Sequence, residues 1–332
     1  MFSKIRQSMS AREALDLVQP DLEQVEREIA AESIASVDAI TTINHYLQGG
    51  GGKRLRPALL LLTSRLFGPA NDCARHLAGV VEMIHTATLV HDDVIDIANT
   101  RRGRPSSNTI WGNHSCVPAG DWLYMQAFQI ALRERNFHVL DILISLTQMM
   151  VEGELLQLER LHRIDISEAD YMELVDRKTA SLFSACASLG AAAAGAGDAV
   201  EARLADFAWN LGMAFQLVDD ILDFTSNQEA LGKPAGSDLR EGKVTLPVVY
   251  ALEHASTEER RALETVLADG GYGRVPFARI LAIIEGHRAV ERAYDRAHSF
   301  TEKSRTILGE FPESPAQRSL LSIVDLITAR SS

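Results

Sequence analysis

Two short acidic signatures, 127 residues apart (Asp92 to Asp219), hold the side chains best suited to chemistry. The first is Leu89-Val90-His91-Asp92-Asp93-Val94-Ile95-Asp96; the second is Gln216-Leu217-Val218-Asp219-Asp220-Ile221-Leu222-Asp223-Phe224. Each sets an Asp-Asp-x-x-Asp group in an otherwise apolar stretch. On a helix the three carboxylates of each group fall within roughly a quarter-turn, with the outer two ~6 Å apart along the axis. Three like charges so close raise one another's pKa and weaken the helix unless a cation neutralises them. All the donors are hard oxygens and no Cys or His shares their spacing. The expected cation is therefore Mg²⁺, which keeps several waters and shares its shell with substrate phosphate. A solvated helix face or a cap is the alternative for either triplet alone. Two copies, each flanked by Val, Ile and Leu rather than by other charges, speak against it.

Cations gather in sequence beside these motifs. Gly52-Lys53-Arg54-Leu55-Arg56-Pro57 puts Lys53 and Arg56 three residues apart at a helix start, where backbone N–H groups and the dipole also favour an anion. Arg101-Arg102-Gly103 follows Asp96 after four residues, Lys178-Thr179 lies early in a small, apolar helix, and Lys233 and Lys243 lie in the loop after the second motif. A lone Lys is ordinarily a solvated surface charge. As a set, next to carboxylates that need a metal, these residues describe a diphosphate bound through Mg²⁺ and through charge-assisted hydrogen bonds. Two sets suggest two diphosphates.

The elements that must position these groups read as helices almost throughout. An i, i+3/i+4 apolar pattern runs from 11 to 47 (Leu15, Val18, Leu22, Val25, Ile29) and ends at Gly49-Gly50-Gly51-Gly52. A second helix starts near Arg56-Pro57 and stops before Gly68-Pro69; 72–98 is long and mostly apolar, as for a buried helix. A turn-rich loop covers Arg101 to Asn113, and helical patterns resume at 118–133, 138–162, 168–195, 200–224 and 246–255. A second such loop covers 226–244, and 257–330 is amphipathic helix. With no run of alternating strands, no Pro/Ser linker and no break in composition, one all-α domain over 1–332 is expected, a single-domain antiparallel helical bundle, with 1–10 a loose leading segment.

Composition is that of a soluble enzyme. Hydrophobic content of 46% supports a large core, and a net charge of −12 (33 basic against 45 acidic) argues against nucleic acid and anionic membranes as partners. Cys73, Cys116 and Cys186 are odd in number and in no metal spacing, which points to a reducing cytoplasm; nothing accounts for Cys116. No apolar h-region opens the chain and no apolar run reaches the length of a transmembrane segment.

With these landmarks in order (Gly52-Lys53-x-x-Arg56-Pro57, His85, Asp92-Asp93-x-x-Asp96-x4-Arg101-Arg102-Gly103, Lys178-Thr179, Gln216, Asp219-Asp220-x-x-Asp223, Lys233 and Gly242-Lys243), the chain resembles the trans-isoprenyl diphosphate synthases over nearly its whole length, and most closely the long-chain bacterial octaprenyl type. The resemblance implies an isoprenoid-synthase bundle around a central active-site cavity. It also implies a homodimer, and sequential head-to-tail condensation of isopentenyl diphosphate onto an allylic diphosphate, for quinone side chains. Of membrane contact it implies a transient one at product release. It implies that the allylic diphosphate is held through three Mg²⁺ between Asp92, Asp96 and Asp219, helped by Arg101, Lys178, Lys233 and Lys243. By the same resemblance, isopentenyl diphosphate is expected to be held without metal by Lys53, Arg56, His85 and Arg102. Thr179 hydroxyl, Lys178 carbonyl and Gln216 amide oxygen are expected to face the allylic cation as neutral dipoles. Asp93, Asp220 and Asp223 are expected to support the ligands from behind rather than to bind metal directly. Each assignment has an ordinary rival: His85 as a satisfied core histidine, Gln216 as packing. Ile97 departs from relatives, which often carry an acidic residue there.

Product length turns on the face of the first motif's helix below Asp92. Ala87 lies ~7.5 Å down the axis, with Thr88 and Ile84 beside it. Short-chain relatives block this spot with Phe or Tyr. The small Ala87 leaves the route open to a floor at Ile84, Val81 or a facing helix with Leu146, Met149 and Met150, although plain core filling is an equal reading of the methionines. An all-trans product of roughly C30 to C50 is expected from a route that buries so long a tail. The rivals are a short-chain farnesyl or geranylgeranyl synthase, against which Ala87 speaks, and a class I terpene cyclase, which has no use for Lys53, Arg56 and Arg102. A third, the non-catalytic subunit of a heteromeric synthase, is expected to have lost one Asp motif.

Overall fold

The computed structural model describes residues 11–101, 103–225 and 235–329. The architecture is an all-α antiparallel bundle. In chain order the helices are α1 (Ala11–Asp16), α2 (Gln19–Glu32), α3 (Asp38–Gln48), α4 (Leu55–Ser64) and α5 (Asp72–Ile95). A two-residue hairpin comes next, β1 (Thr100–Arg101) with β2 (Arg104–Pro105), then α6 (Ser107–Trp111), α7 (Asn113–Arg133), α8 (Phe137–Arg160) and α9 (Glu168–Val175). A π turn at Asp176–Ala180 joins α9 to α10 (Ser181–Ala193), which leads to α11 (Asp198–Thr225). The remainder is α12 (Ser237–Arg240), α13 (Leu246–Leu252), α14 (Thr257–Asp269), α15 (Phe277–Gly286), α16 (Ala289–Leu308) and α17 (Pro315–Ala329).

Two compact units are built from interleaved stretches of this chain. The first takes Met1–Ser145, Phe183–Ala205 and Ile307–Ile323; the second takes Leu146–Leu182, Asp206–Thr306 and Val324–Ser332.

In the first unit α5 lies along α7 and against α2 and α4. Its buried stripe (Leu77, Val80, Val81, Ile84, Ala87, Val90) excludes water from the length of the helix that leads to the first Asp motif. Near that motif α7 comes close: a Cβ at Gly120 would stand 2.3 Å from His91 Nε2, so only glycine fits without moving the ring. The apolar pattern over 11–47 is three helices rather than one. Pro20 restarts the chain as α2, and a turn at 33–37 is held open by side chains of α3, with Thr41 Oγ1 accepting from Ala35 N (2.9 Å) and Asn44 Nδ2 donating to Ser33 O (3.1 Å).

The second unit is organised on the apolar body of α11 (Phe207, Leu211, Ala214, Leu217, Ile221). Trp209 Nε1 donates to Asp176 Oδ1 at 2.6 Å, tying α11 to the π turn. The α9 start is a capping box between Ser167 and Asp170.

On α8 the outward face is apolar where a solvated face is usually polar. Phe137, Ile144, Val151 and Leu158 recur every seven residues, with Leu155 beside them, and all five are exposed, Phe137 by 81%. Among the described residues no helix is long and apolar enough to cross a membrane.

Candidate active site

Both Asp motifs fall in the last turns of their helices, α5 and α11. Carboxylates there face the negative end of the helix dipole, an arrangement that favours a bound cation and is unfavourable without one. Within each motif the carboxylates divide in two.

In the first, Asp93 is buried, and its Oδ1 accepts from Arg101 Nε at 2.7 Å. Asp92 is half-buried beside Tyr124, whose hydroxyl is pushed well up by burial and then by Asp92. Asp96 is exposed and lies just past the last helical residue, as the C-cap. The helix stops in a Schellman turn: Ala98 N donates to Asp93 O (2.9 Å), Ile97 N to Val94 O (3.4 Å), and Asn108 Nδ2 also donates to Asp93 O (3.0 Å). The left-handed position of that turn is Ile97, at φ 51°, where a branched side chain is strained.

The second motif repeats the division. Asp219 is exposed, while Asp220 and Asp223 are buried. Asp220 accepts from Tyr171 hydroxyl (2.6 Å) and from Gln216 Nε2 (2.7 Å). Burial pushes its carboxyl up to about 7, and those two hydrogen bonds offset part of the rise. Gln216 Oε1 in turn accepts from Thr179 hydroxyl at 2.9 Å. Thr179 thus spends its proton on Gln216 and keeps oxygen lone pairs to present elsewhere. Asp223, also raised by burial, accepts from Ser237 N (3.1 Å), Ser237 Oγ (2.8 Å) and Asp238 N (3.2 Å), which fixes the start of α12.

Lys178 and Thr179 lie inside the π turn, where an uninterrupted helix over 168–195 was expected from the sequence. Such single π turns recur at functional sites because the extra residue re-aims the side chains beyond it. Lys178 Nζ is paired with Glu154 and donates to Gln157 Oε1 at 3.2 Å. Lys243 pairs with Glu241 at 3.0 Å, and Gly242 before it, at φ 87°, packs under the His162 ring with no room for a Cβ. Lys233 lies outside the described residues.

Back in the first unit, Lys53 is exposed at the end of the glycine run, and Arg56 Nη1 lies 3.1 Å from His85 Nε2. A guanidinium only donates, so His85 accepts at Nε2 and carries its proton on Nδ1. The Arg56 guanidinium also sits over Phe183, 5.3 Å from the ring centroid. Arg102 lies outside the described residues. Below Asp92, Ile84 and Ala87 are fully buried, and Thr88 is half-buried with its hydroxyl turned back onto His85 O (2.7 Å).

Three groups that sequence reasoning missed support this arrangement. Arg54, the N-cap of α4 at φ 47°, is gripped by Glu82 (2.5 Å) and Glu26 (3.0 Å), which halts the freedom of the glycine run just after Lys53. Tyr171 anchors Asp220, and Glu154 anchors Lys178. None carries a local signal, since each acts through a contact distant in sequence. The region 101–113, expected as plain loop, is a hairpin and a short helix, with Arg101 and Arg104 directly opposite one another.

Among the described residues no three His, Cys, Asp or Glu side chains are gathered into a closed cation cage. The donors fit Mg²⁺ all the same, because that ion is held by one or two carboxylates with waters and phosphate oxygens completing its shell.

The polyprenyl synthetase family model matches residues 37–279. The chain belongs to the polyprenyl synthetase family. It is 37% identical to octaprenyl diphosphate synthase of Haemophilus influenzae over 323 residues, 97% of this chain and 98% of that one. It is 39% identical to geranylgeranyl diphosphate synthase of Sulfolobus acidocaldarius over 264 residues, 77% of this chain and 80% of that one. Among solved structures, polyprenyl synthase from Caulobacter crescentus CB15, complexed with calcium and isoprenyl diphosphate, matches with a TM-score of 0.91 and 36% identity, over 98% of this chain and all of that one. This protein is thus a prenyltransferase of the trans-polyprenyl diphosphate synthase class, whose Mg²⁺-dependent reaction is head-to-tail condensation to a polyprenyl diphosphate.

Proposed function

We propose that the chain elongates an allylic diphosphate with isopentenyl diphosphate to an all-trans product of about C30–C50, the tail passing Ala87. The observation that carries the site assignment is the division within each motif. Asp93, Asp220 and Asp223 are buried, whereas Asp96 and Asp219 are exposed and Asp92 is half-buried, all three at negative helix ends. Asp92, Asp96 and Asp219 would hold Mg²⁺, taken as three ions, which when bound would supply positive charge to stabilise a departing diphosphate. Lys178, Arg101, Lys233 and Lys243 bind the leaving diphosphate. Thr179 and Gln216, oriented by Asp220, present fixed dipoles to the cation that develops. Lys53, Arg56, His85 and Arg102 take isopentenyl diphosphate with no metal, so it is not ionised. The small side chain at 87 supports the long product; percentage identity does not, since it is 37% to an octaprenyl and 39% to a geranylgeranyl synthase.

The test is incubation with farnesyl diphosphate, labelled isopentenyl diphosphate and Mg²⁺, with products sized by chromatography. Products ending at C15–C20 overturn the long-chain reading, and no incorporation overturns the function. Arg56→Ala or Lys53→Ala should raise KM for isopentenyl diphosphate more than for the allylic primer, and Lys243→Ala the reverse. Equal effects on both substrates in all three variants would break the two-site partition.

The active form we propose is a homodimer paired through α8. The heptad spacing of Phe137, Ile144, Val151 and Leu158 suits a second copy of the same helix across a two-fold axis. Val151→Glu with Leu155→Glu should shift the protein to monomer in analytical ultracentrifugation. An unchanged sedimentation coefficient at dimer mass would put the interface elsewhere.

A further inference from the structure

The hairpin after the first Asp motif sets two like charges face to face. Arg101 and Arg104 are register partners in the β1–β2 ladder, which places their side chains on the same face about 5 Å apart at Cβ, a destabilising pairing unless the charges are met. Asp93 meets that of Arg101. Among the described residues, no carboxylate lies within ion-pair reach of Arg104.

An aromatic face holds Arg104 instead. Its guanidinium lies 4.3 Å from the Tyr46 ring centroid. Tyr46 is itself fixed, its hydroxyl donating to Pro105 O at 2.7 Å and its ring standing edge-on to Trp111 at 5.0 Å. Such a stack orients a cation and leaves its charge in place. Arg104 shares one cavity with Gly50, Arg54, His85, Arg101 and Ser106, and its Nη1 is 3.6 Å from where a Cβ on Gly49 would stand. The formal charges lining that cavity are Arg54, Arg101 and Arg104 against Glu82 and Asp93. The first two arginines are already matched by those carboxylates, so the surplus charge is that of Arg104.

We infer that Arg104 is a further diphosphate-binding residue, presented by Tyr46 beside the glycine run that carries Lys53, and that its ligand is the diphosphate of isopentenyl diphosphate. This rests on the function proposed above. The planar guanidinium matches two phosphate oxygens at once, whereas an ammonium at the same position meets one and stacks less well on the ring.

Calorimetric titration with isopentenyl diphosphate alone, in EDTA, separates binding from turnover and from metal. Arg104→Gln should weaken binding roughly tenfold and Arg104→Lys by less, the loss of a charge-assisted pair against its partial replacement. In steady state, Arg104→Gln should raise KM for isopentenyl diphosphate by a similar factor, with the allylic KM and kcat held within about twofold, a split that loss of packing alone does not produce. Arg104→Gln binding within twofold of wild type, or equal rises in both KM values, overturns the inference and leaves the function standing. Wild-type protein that neither binds nor incorporates isopentenyl diphosphate overturns both.

Discussion

Asp92→Ala and Asp219→Ala should each cut turnover by at least ~10²–10³-fold while leaving the fold intact, the scale of losing one preorganised group that meets transition-state charge. Both side chains reach solvent at the ends of α5 and α11, so removing them opens no cavity, and each deletes a negative charge from a negative helix end. Stability should hold or rise slightly. Asp93→Ala is the contrast: it strands the Arg101 guanidinium beside a buried gap and should lower stability as well as activity. The measurement is kcat at saturating Mg²⁺ beside a thermal melt. More than about a tenth of wild-type turnover in either alanine variant would show that its carboxylate is not a metal ligand.

An aromatic ring at position 87 should shorten the product to about C15–C20 with the first condensation nearly as fast as before, because the ring stands about one and a half helical turns below Asp92, the proposed metal ligand. Ala87 is fully buried on α5, so Ala87→Phe or Ala87→Tyr must project inward. A growing tail feels such a block only on reaching it. The product distribution at limiting primer is the readout. An unchanged distribution from folded, active protein would mean that the tail leaves by another route, and would remove the main support for a long-chain product. Ile84→Ala and Met149→Ala should lengthen the product if those residues form the floor, and leave it unchanged if they are core.

The helices and both acidic motifs were legible because periodic burial and repeated like charge are local properties of sequence. Asp92 and Asp219 needed only their neighbours to be noticed. The breaks were harder. The residues flanking the π turn keep helix-like dihedrals, with Val175 at φ −61°, ψ −41° and Ser181 at φ −53°, ψ −44°, so one added residue shifts the phase without a change in composition. The turn at 33–37 depends on Thr41 and Asn44 reaching back, and the grip on Arg54 depends on Glu26 and Glu82, each 28 residues away. Contacts of that kind are decided by packing. By residue type and spacing Asp93 and Asp220 read as equals of Asp92 and Asp219; the family resemblance set them behind the ligands, and their burial agrees with that division.

The left-handed turn at Ile97 has a consequence for adaptation. A branched residue there costs free energy that its 76% exposed side chain does not recover through packing. Glycine or asparagine would relax the backbone at no steric loss, so the chain holds an unused margin of thermal tolerance one residue beyond Asp96. A lineage moving to a hotter habitat could draw on that margin with a single substitution, leaving every proposed metal- and diphosphate-binding side chain unchanged.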